Sequence, residues 1–284
     1  MINSVLANLM PYFHLLRLKG WKGYFFIVFL GFLLAKGFLN SFFDILVFFL
    51  TVALYLGFGF SINECFDVEE DKLNELKKNP VARREIDYKS AFIFSLALAF
   101  FGVFFSFYFG INYFLLYLAA TILSFFYSAP PFRFKNRFLL DLVSHGLFAG
   151  LFLFFLPFFA FNSEIINAYY LLGLSVFCYS LIFEMKNQIS DYESDKRAGL
   201  KTTACVFGLE NSHKLDNFLF LIFPATLLPL FLSSDFLAIF LLIAFLFYLA
   251  IAVNKEKYKN LLNICLVSFF LLLLIERFVN FPQL

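Results

Sequence analysis

The chain reads as an all-α membrane protein, a bundle of about nine transmembrane helices, and two observations predict this. Apolar residues make up 62% of its 284 positions, Phe alone supplying 49, against a usual share of about 45–50%. Charged residues are only 15%, where roughly 25% is typical, and the mean hydropathy is +0.84. A bilayer span needs about 20 largely apolar residues, so the length accommodates about nine with short connections.

Apolar runs bounded by charge clusters and turn residues place spans near 21–36, 45–66, 90–109, 110–128, 138–161, 167–190, 216–233, 236–253 and 260–281. Met1 to Gly20 carries no basic region followed by a cleavable apolar core, so it is expected to be an interfacial lead-in instead of a signal peptide. The third and fourth spans are divided by Gly110-Ile111-Asn112 and the seventh and eighth by Ser233-Ser234-Asp235, tight turns that imply antiparallel neighbours. No polar stretch is long enough to fold separately, so residues 1–284 are expected to be a single membrane domain.

The distribution of Lys and Arg tests the span count, because a missed or invented span would scramble it. All but Lys36 and Arg277 of the 22 basic residues fall on one side. That side is expected to be cytoplasmic, with the N-terminus inside and the C-terminus outside a multi-pass protein of the cell membrane. A net charge of +2 points to no nucleic-acid partner. The four cysteines, Cys65, Cys178, Cys205 and Cys265, lie far apart without metal-ligand spacing and read as packing residues.

Two cytoplasmic connections begin with one pattern: Asn63, Asp67 and Asp71 within NECFDVEED (63–71), and Asn187, Asp191 and Asp195 within NQISDYESD (187–195). At i, i+4 and i+8 of a helix these side chains share a face and span roughly 12 Å. Stacked carboxylates repel one another and are costly near the bilayer, so something cationic should compensate. Hard oxygen ligands, few per site, suit Mg²⁺, which is commonly held by one or two carboxylates plus substrate phosphates. Two such ladders facing each other could hold Mg²⁺ against a diphosphate. Solvated acids at a helix end would explain one motif; recurrence of the whole pattern at equivalent ends of two spans argues against that.

Basic residues surround both ladders. Lys72, Lys77, Lys78, Arg83 and Arg84 follow the first and Lys196, Arg197 and Lys201 follow the second; each could neutralise phosphate or simply set topology, and Lys72 and Lys196 abut a ladder. A third cluster, YSAPPFRFK, joins the fourth and fifth spans, where Pro130-Pro131 stops the helix and would hold Tyr127, Arg133 and Lys135 at the level of the ladders. Glu184 falls on the ladder face of its span but deeper, a candidate acceptor-side base or polar anchor. Asp141 and His145, four apart, read either as a proton relay or as a satisfied interhelical hydrogen bond.

On these residues the chain resembles the UbiA-type superfamily of intramembrane prenyltransferases: the span count, the first motif NECFDVEED, the second motif DYESD and the YSAPPFRFK segment together cover nearly its whole length. The resemblance implies a helical bundle around a central cavity open to the bilayer, in which the two Asp motifs bind Mg²⁺ and a prenyl diphosphate donor. It further implies Mg²⁺-dependent prenyl transfer to a lipophilic acceptor, with Asp67, Asp71, Asp191 and Asp195 coordinating the metal, Asn63 and Asn187 supporting, and Tyr127 in the catalytic set. Two departures stand out. Glu64 replaces the usual Asp after the motif's Asn, and Lys78-Asn79-Pro80-Val81-Ala82-Arg83-Arg84 stands where many members have an R-P-[LI]-x-x-G segment, so Arg83 or Arg84 would take over that Arg contact. CDP-alcohol phosphotransferases also set carboxylates at a membrane face, but their D-G-x-x-A-R element is absent. A cation-coupled transporter using Glu184, Asp141 and His145 is the alternative reading.

Overall fold

The structure is a computed structural model and describes residues 2–74 and 77–232. Among the described residues the regular structure is all helical, with no strand. The helices are α1 (Ile2–Leu16), α2 (Lys22–Leu34), α3 (Phe42–Phe66), α4 (Val68–Lys72), α5 (Tyr88–Ser106), α6 (Ile111–Ser128), α7 (Leu140–His145), α8 (Phe152–Ala160), α9 (Asn167–Arg197), α10 (Thr203–Phe207) and α11 (Leu209–Leu232). A π-helical stretch, Gly146–Leu151, joins α7 to α8, so these two are one interrupted rod.

The expected spans are recovered in order as α2, α3, α5, α6, the α7–α8 rod, α9 and α11; those expected at 236–253 and 260–281 lie outside the described residues. Among the described residues four segments are long and apolar enough to cross a membrane: Phe42–Phe66, Tyr88–Phe109, Ile111–Ser128 and Leu140–Ala160. One expectation changes. The 13 residues of α2 rise about 20 Å, short of a roughly 30 Å hydrocarbon core. The lead-in before it is a helix of its own, α1, packed against α3 and α5 with Leu15 fully buried.

Local chemistry explains the boundaries. The Ser41 hydroxyl accepts from the Asp44 N–H at 3.1 Å, and the Asp87 carboxylate accepts from the Ser90 N–H at 2.9 Å, satisfying N-terminal amides of α3 and α5. Gly110 turns α5 into α6 at φ +87°, a backbone region open to glycine. The bundle closes through tight approaches: a Cβ on Gly31 of α2 would lie 2.3 Å from the Phe154 carbonyl oxygen of α8. Phenylalanine serves two surfaces. Phe32, Phe48, Phe154 and Phe158 fill the core, whereas Phe42, Phe100 and Phe104 point outward, each at least 60% exposed, an arrangement suited to lipid and not to water.

This architecture brings the cytoplasmic connections together. The α3–α4 junction, the loop before α5, the α6–α7 loop and the far end of α9 all meet at one end of the bundle.

Candidate active site

At that end a cavity of about 420 Å³ opens into the bundle. Its mouth is lined by Asn63, Asp67 and Asp71 on one side and Asn187, Asp191 and Asp195 on the other, so the two expected ladders do face each other. The second is a straight ladder on unbroken α9. The first differs from the expectation of a single helix. Asp67 leaves helical geometry (φ −99°, ψ 13°) between α3 and α4, although the Asp67 and Asp71 amides still donate to the Asn63 and Asp67 carbonyls at 3.0 and 2.8 Å. The bend carries Asp71 onto α4, over the mouth.

Positive charge is already in place. The Lys135 ammonium binds Asp67, Arg133 binds the buried Glu70 and the Phe66 carbonyl (3.2 Å) and lies 3.8 Å from Asp67, and Lys77 binds Asp191 at 2.8 Å. Asp71 accepts from the Asn79 amide at 2.9 Å. Asn79 also donates to the Glu64 carbonyl at 2.8 Å and accepts from the Val81 N–H, pinning the loop before α5 against α3. Burial raises the Asp71 carboxyl, with Asp67 adding to it. Burial, opposed by Lys135 and reinforced by Asp191 and Asp67, pushes Asp195 up to about 7. Both groups lie beyond the membrane-spanning segments and hold their protons more tightly than free aspartates. Among the described residues no three His, Cys, Asp or Glu side chains already converge on one point. A metal would therefore be shared between ladders and ligand, as Mg²⁺ commonly is.

Below the ladders the lining turns aromatic around a single carboxylate, Glu184. Glu184 accepts from the Tyr127 hydroxyl at 2.7 Å and from the Gln188 amide at 3.2 Å, and lies 3.6 Å from His145 Nε2. His145 Nε2 is also 3.2 Å from the Tyr24 hydroxyl, and its Nδ1 is 3.0 Å from Ser180 Oγ. The expected Asp141–His145 pair does not form. Asp141 is instead bound by the Thr203 amide and hydroxyl, both at 2.5 Å, by Gln188 at 2.9 Å and by the Leu142 amide at 2.7 Å. Its position in the first turn of α7 turns it towards α10, so it fastens α10 to the bundle.

Other expected residues are placed elsewhere. Lys72 pairs with Glu69 at 2.6 Å, both exposed; Arg83 donates to the Lys77 carbonyl at 3.3 Å; Arg84 is exposed in a left-handed turn at φ +60°; Lys196 rests beside Tyr192. None lines the cavity. Abutting a ladder in sequence was a poor guide, because residue i+1 on a helix points about 100° away. Of the basic residues expected around the first ladder Lys77 does line it, and Arg17, Glu70, Gln188 and Tyr24 line it without having been singled out. Lys77 stood in the basic run after the first motif and Gln188 inside the second. Tyr24 and Arg17, brought in by α2 and the turn before it, carried no local signal.

Replacing Asp141 with Ala removes a carboxylate that satisfies four donors and strands the Thr203 amide in the interior, while Gln188 keeps its bond to Glu184. The expected cost is about 3 kcal/mol, read as a lowered unfolding transition in detergent.

Comparisons with known proteins identify the family and the fold. The UbiA prenyltransferase family model matches residues 24–274. A digeranylgeranylglyceryl phosphate synthase of Methanococcus maripaludis (strain C7) is 33% identical over 35% of this chain and 36% of the relative, and one of Pyrococcus horikoshii is 28% identical over 59% and 58%, so these two matches span less than two thirds of either relative. The synthase of Saccharolobus solfataricus is 26% identical over 83% of both chains. Among solved structures, a UbiA homolog from Archaeoglobus fulgidus bound to GPP and Mg²⁺ superposes with a TM-score of 0.71 at 25% identity, covering 92% of this chain and 96% of that one. With a family match across most of its length and the same fold, the chain is a multi-pass membrane protein that belongs to the UbiA prenyltransferase family.

Proposed function

We propose that this protein transfers a prenyl group from an allylic prenyl diphosphate to a lipophilic acceptor in the membrane, with Mg²⁺ as cofactor. The observation that carries this reading is the pair of acid ladders facing each other across one end of a cavity whose deeper walls are built of aromatic and aliphatic side chains around the single carboxylate of Glu184. A name borne by several relatives, digeranylgeranylglyceryl phosphate synthase, supports a prenylated glyceryl phosphate as the acceptor class. Transport finds no such support: the acids gather at one end of the bundle, and Asp141, which would belong to an ion path, is fully engaged in holding α10.

The site fits Mg²⁺ by its donor set, all hard oxygens, and by the ammonium groups now resting on Asp67 and Asp191, which mark where positive charge is required. Asp67, Asp71, Asp191 and Asp195, with Asn63 and Asn187, would hold it. When bound, Mg²⁺ supplies Lewis-acid stabilisation of the leaving diphosphate. Lys77 and Lys135, which pair with Asp191 and Asp67, line the cavity and would be free to bind diphosphate oxygens once those carboxylates hold the metal, whereas Arg133, held by Glu70, does not line it. As the allylic C–O bond breaks, its electron pair leaves with the diphosphate, and the Tyr24, Tyr127, Phe60 and Phe148 rings face the carbon that becomes positive and keep water from it. Glu184, held by Tyr127 and Gln188, is placed to take the proton of an acceptor hydroxyl as the new C–O bond forms. The ladders and nearly all Lys and Arg share one side, which by the positive-inside rule is cytoplasmic; the N-terminus is then inside and the C-terminus outside, and residues 1–284 act as one domain.

Two measurements test this. Purified protein in lipid nanodiscs with Mg²⁺, offered geranyl, farnesyl or geranylgeranyl diphosphate and a prenylated glyceryl phosphate, should form the ether; Asp67→Ala and Asp191→Ala should each lower the rate by about 100-fold or more, a loss of about 2.7 kcal/mol of barrier stabilisation. Activity that survives both changes sinks the assignment. A metal must also displace the proton that Asp195 retains up to about 7, so apparent Mg²⁺ affinity should fall by about tenfold per pH unit below that value and level off above it. Titration calorimetry across pH reads this, and Asp195→Asn should flatten the profile.

A further inference from the structure

The cavity stops at a defined depth. Along α3 its lining runs from Asn63 through Phe60 and Gly59 to Leu56 and Tyr55, one face of a helix, which puts Tyr55 about 12 Å below Asn63 and about 18 Å below Asp67. The next turn, Thr51 and Val52, is completely buried and no longer lines it.

Tyr55 lines the space at this depth, and two further buried tyrosines, Tyr117 and Tyr113, stand behind it. The Tyr55 hydroxyl donates to the Phe148 carbonyl at 2.9 Å. Phe148 sits in the π-helical stretch, where the usual i→i+4 ladder is interrupted and a carbonyl can be met from outside the helix. The Tyr117 ring lies edge-on to Tyr55 at 5.8 Å, and its hydroxyl donates to the Thr51 carbonyl at 2.9 Å. Tyr113 follows 6.0 Å from Tyr117, its hydroxyl 2.6 Å from Thr51 Oγ1. Core filling alone asks for no hydroxyls, since each must be matched with a partner to be buried without loss. Here all three are matched, and the matches fix the rings in one position. The result is a rigid stop under a hollow that begins at the ladders.

We propose that Tyr55 is the floor on which the donor's tail ends, so that this residue sets the preferred prenyl chain length; the inference rests on the transferase reading above. With C–C bonds of about 1.5 Å, one isoprene unit advances roughly 5 Å, so roughly two to three units fit between the diphosphate level and the ring. The last unit of a longer donor presses on Tyr55. Gly59, one turn above on the same wall, is the complementary position: a Cβ there would meet only Ser124 Oγ, at 3.4 Å, so a larger side chain would raise the floor.

The test is Mg²⁺-dependent binding of geranyl, farnesyl and geranylgeranyl diphosphates to the full chain in nanodiscs, with no acceptor present. Tyr55→Ala should shift the ratio of geranylgeranyl to geranyl affinity upward by about tenfold or more, Gly59→Leu should shift it downward, and Tyr55→Phe, which keeps the ring, should leave it within about twofold of the original. If Tyr55→Ala does not fold, Gly59→Leu still decides by itself. Affinity ratios that stay put while the protein binds all three donors overturn the floor alone, and mean that tails leave sideways between helices. A protein that binds none of the donors with Mg²⁺ overturns the transferase reading and the floor with it.

Discussion

Charge compensation at the mouth of an apolar bundle is the constraint on which the rest of this structure depends. Asp67, Asp71, Asp191 and Asp195 line one cavity mouth where helices emerge from the membrane, and like charges sharing a poorly solvated place cannot persist without cations. Each loop at that end delivers one. The α6–α7 loop brings Lys135 and Arg133 to the first ladder, and the loop before α5 brings Lys77 to the second. What ties the loops down is therefore the charge that a bound metal and diphosphate would reorganise. The loops are positioned by the substrate's own binding groups, and the site and its surroundings form one electrostatic unit.

Beneath this unit the bundle is arranged to stay dry and shaped. The interrupted α7–α8 rod is central: it places His145 against Glu184 and Tyr24, offers the Phe148 carbonyl to Tyr55, and passes α2 closely because Gly31 has no side chain there. Asp141 at its start holds α10, which closes the site from the α9–α11 side. Polar groups in the interior are thus divided by task. Asp141 is saturated with protein donors, whereas Glu184 lines the cavity with its oxygens facing residues that a substrate can also reach.

How much was legible in the sequence follows from how local each feature is. The described spans, the turn at Gly110 and the two ladders are periodic or contiguous patterns, and they stand where the pattern puts them, because a three-residue repeat at i, i+4 and i+8 needs only a helix to become a face. The break at Asp67 escaped, since Asn63–Asp71 has the same spacing whether the helix is straight or bent. Partners escaped most. Lys72 and Lys196 were favoured for adjacency, yet Lys77 reaches across from another loop to Asp191, and Asp141 finds Thr203 instead of its helical neighbour His145. Such choices depend on how helices far apart in the chain pack, and a single sequence records that packing only as apolar periodicity. The end of α2 was legible: the expected span closed at Lys36, and the helix stops two residues before it.

The central claim is that both ladders, from opposite sides of the cavity, hold one metal–diphosphate assembly. Electron–nuclear double resonance on protein loaded with Mn²⁺ in place of Mg²⁺ measures this at the site. Adding a prenyl diphosphate should produce a ³¹P coupling on the bound Mn²⁺, and the coupling should vanish in both Asp67→Ala and Asp191→Ala. A bound Mn²⁺ that shows no ³¹P coupling, or a coupling that persists after either ladder is cut, would contradict the account.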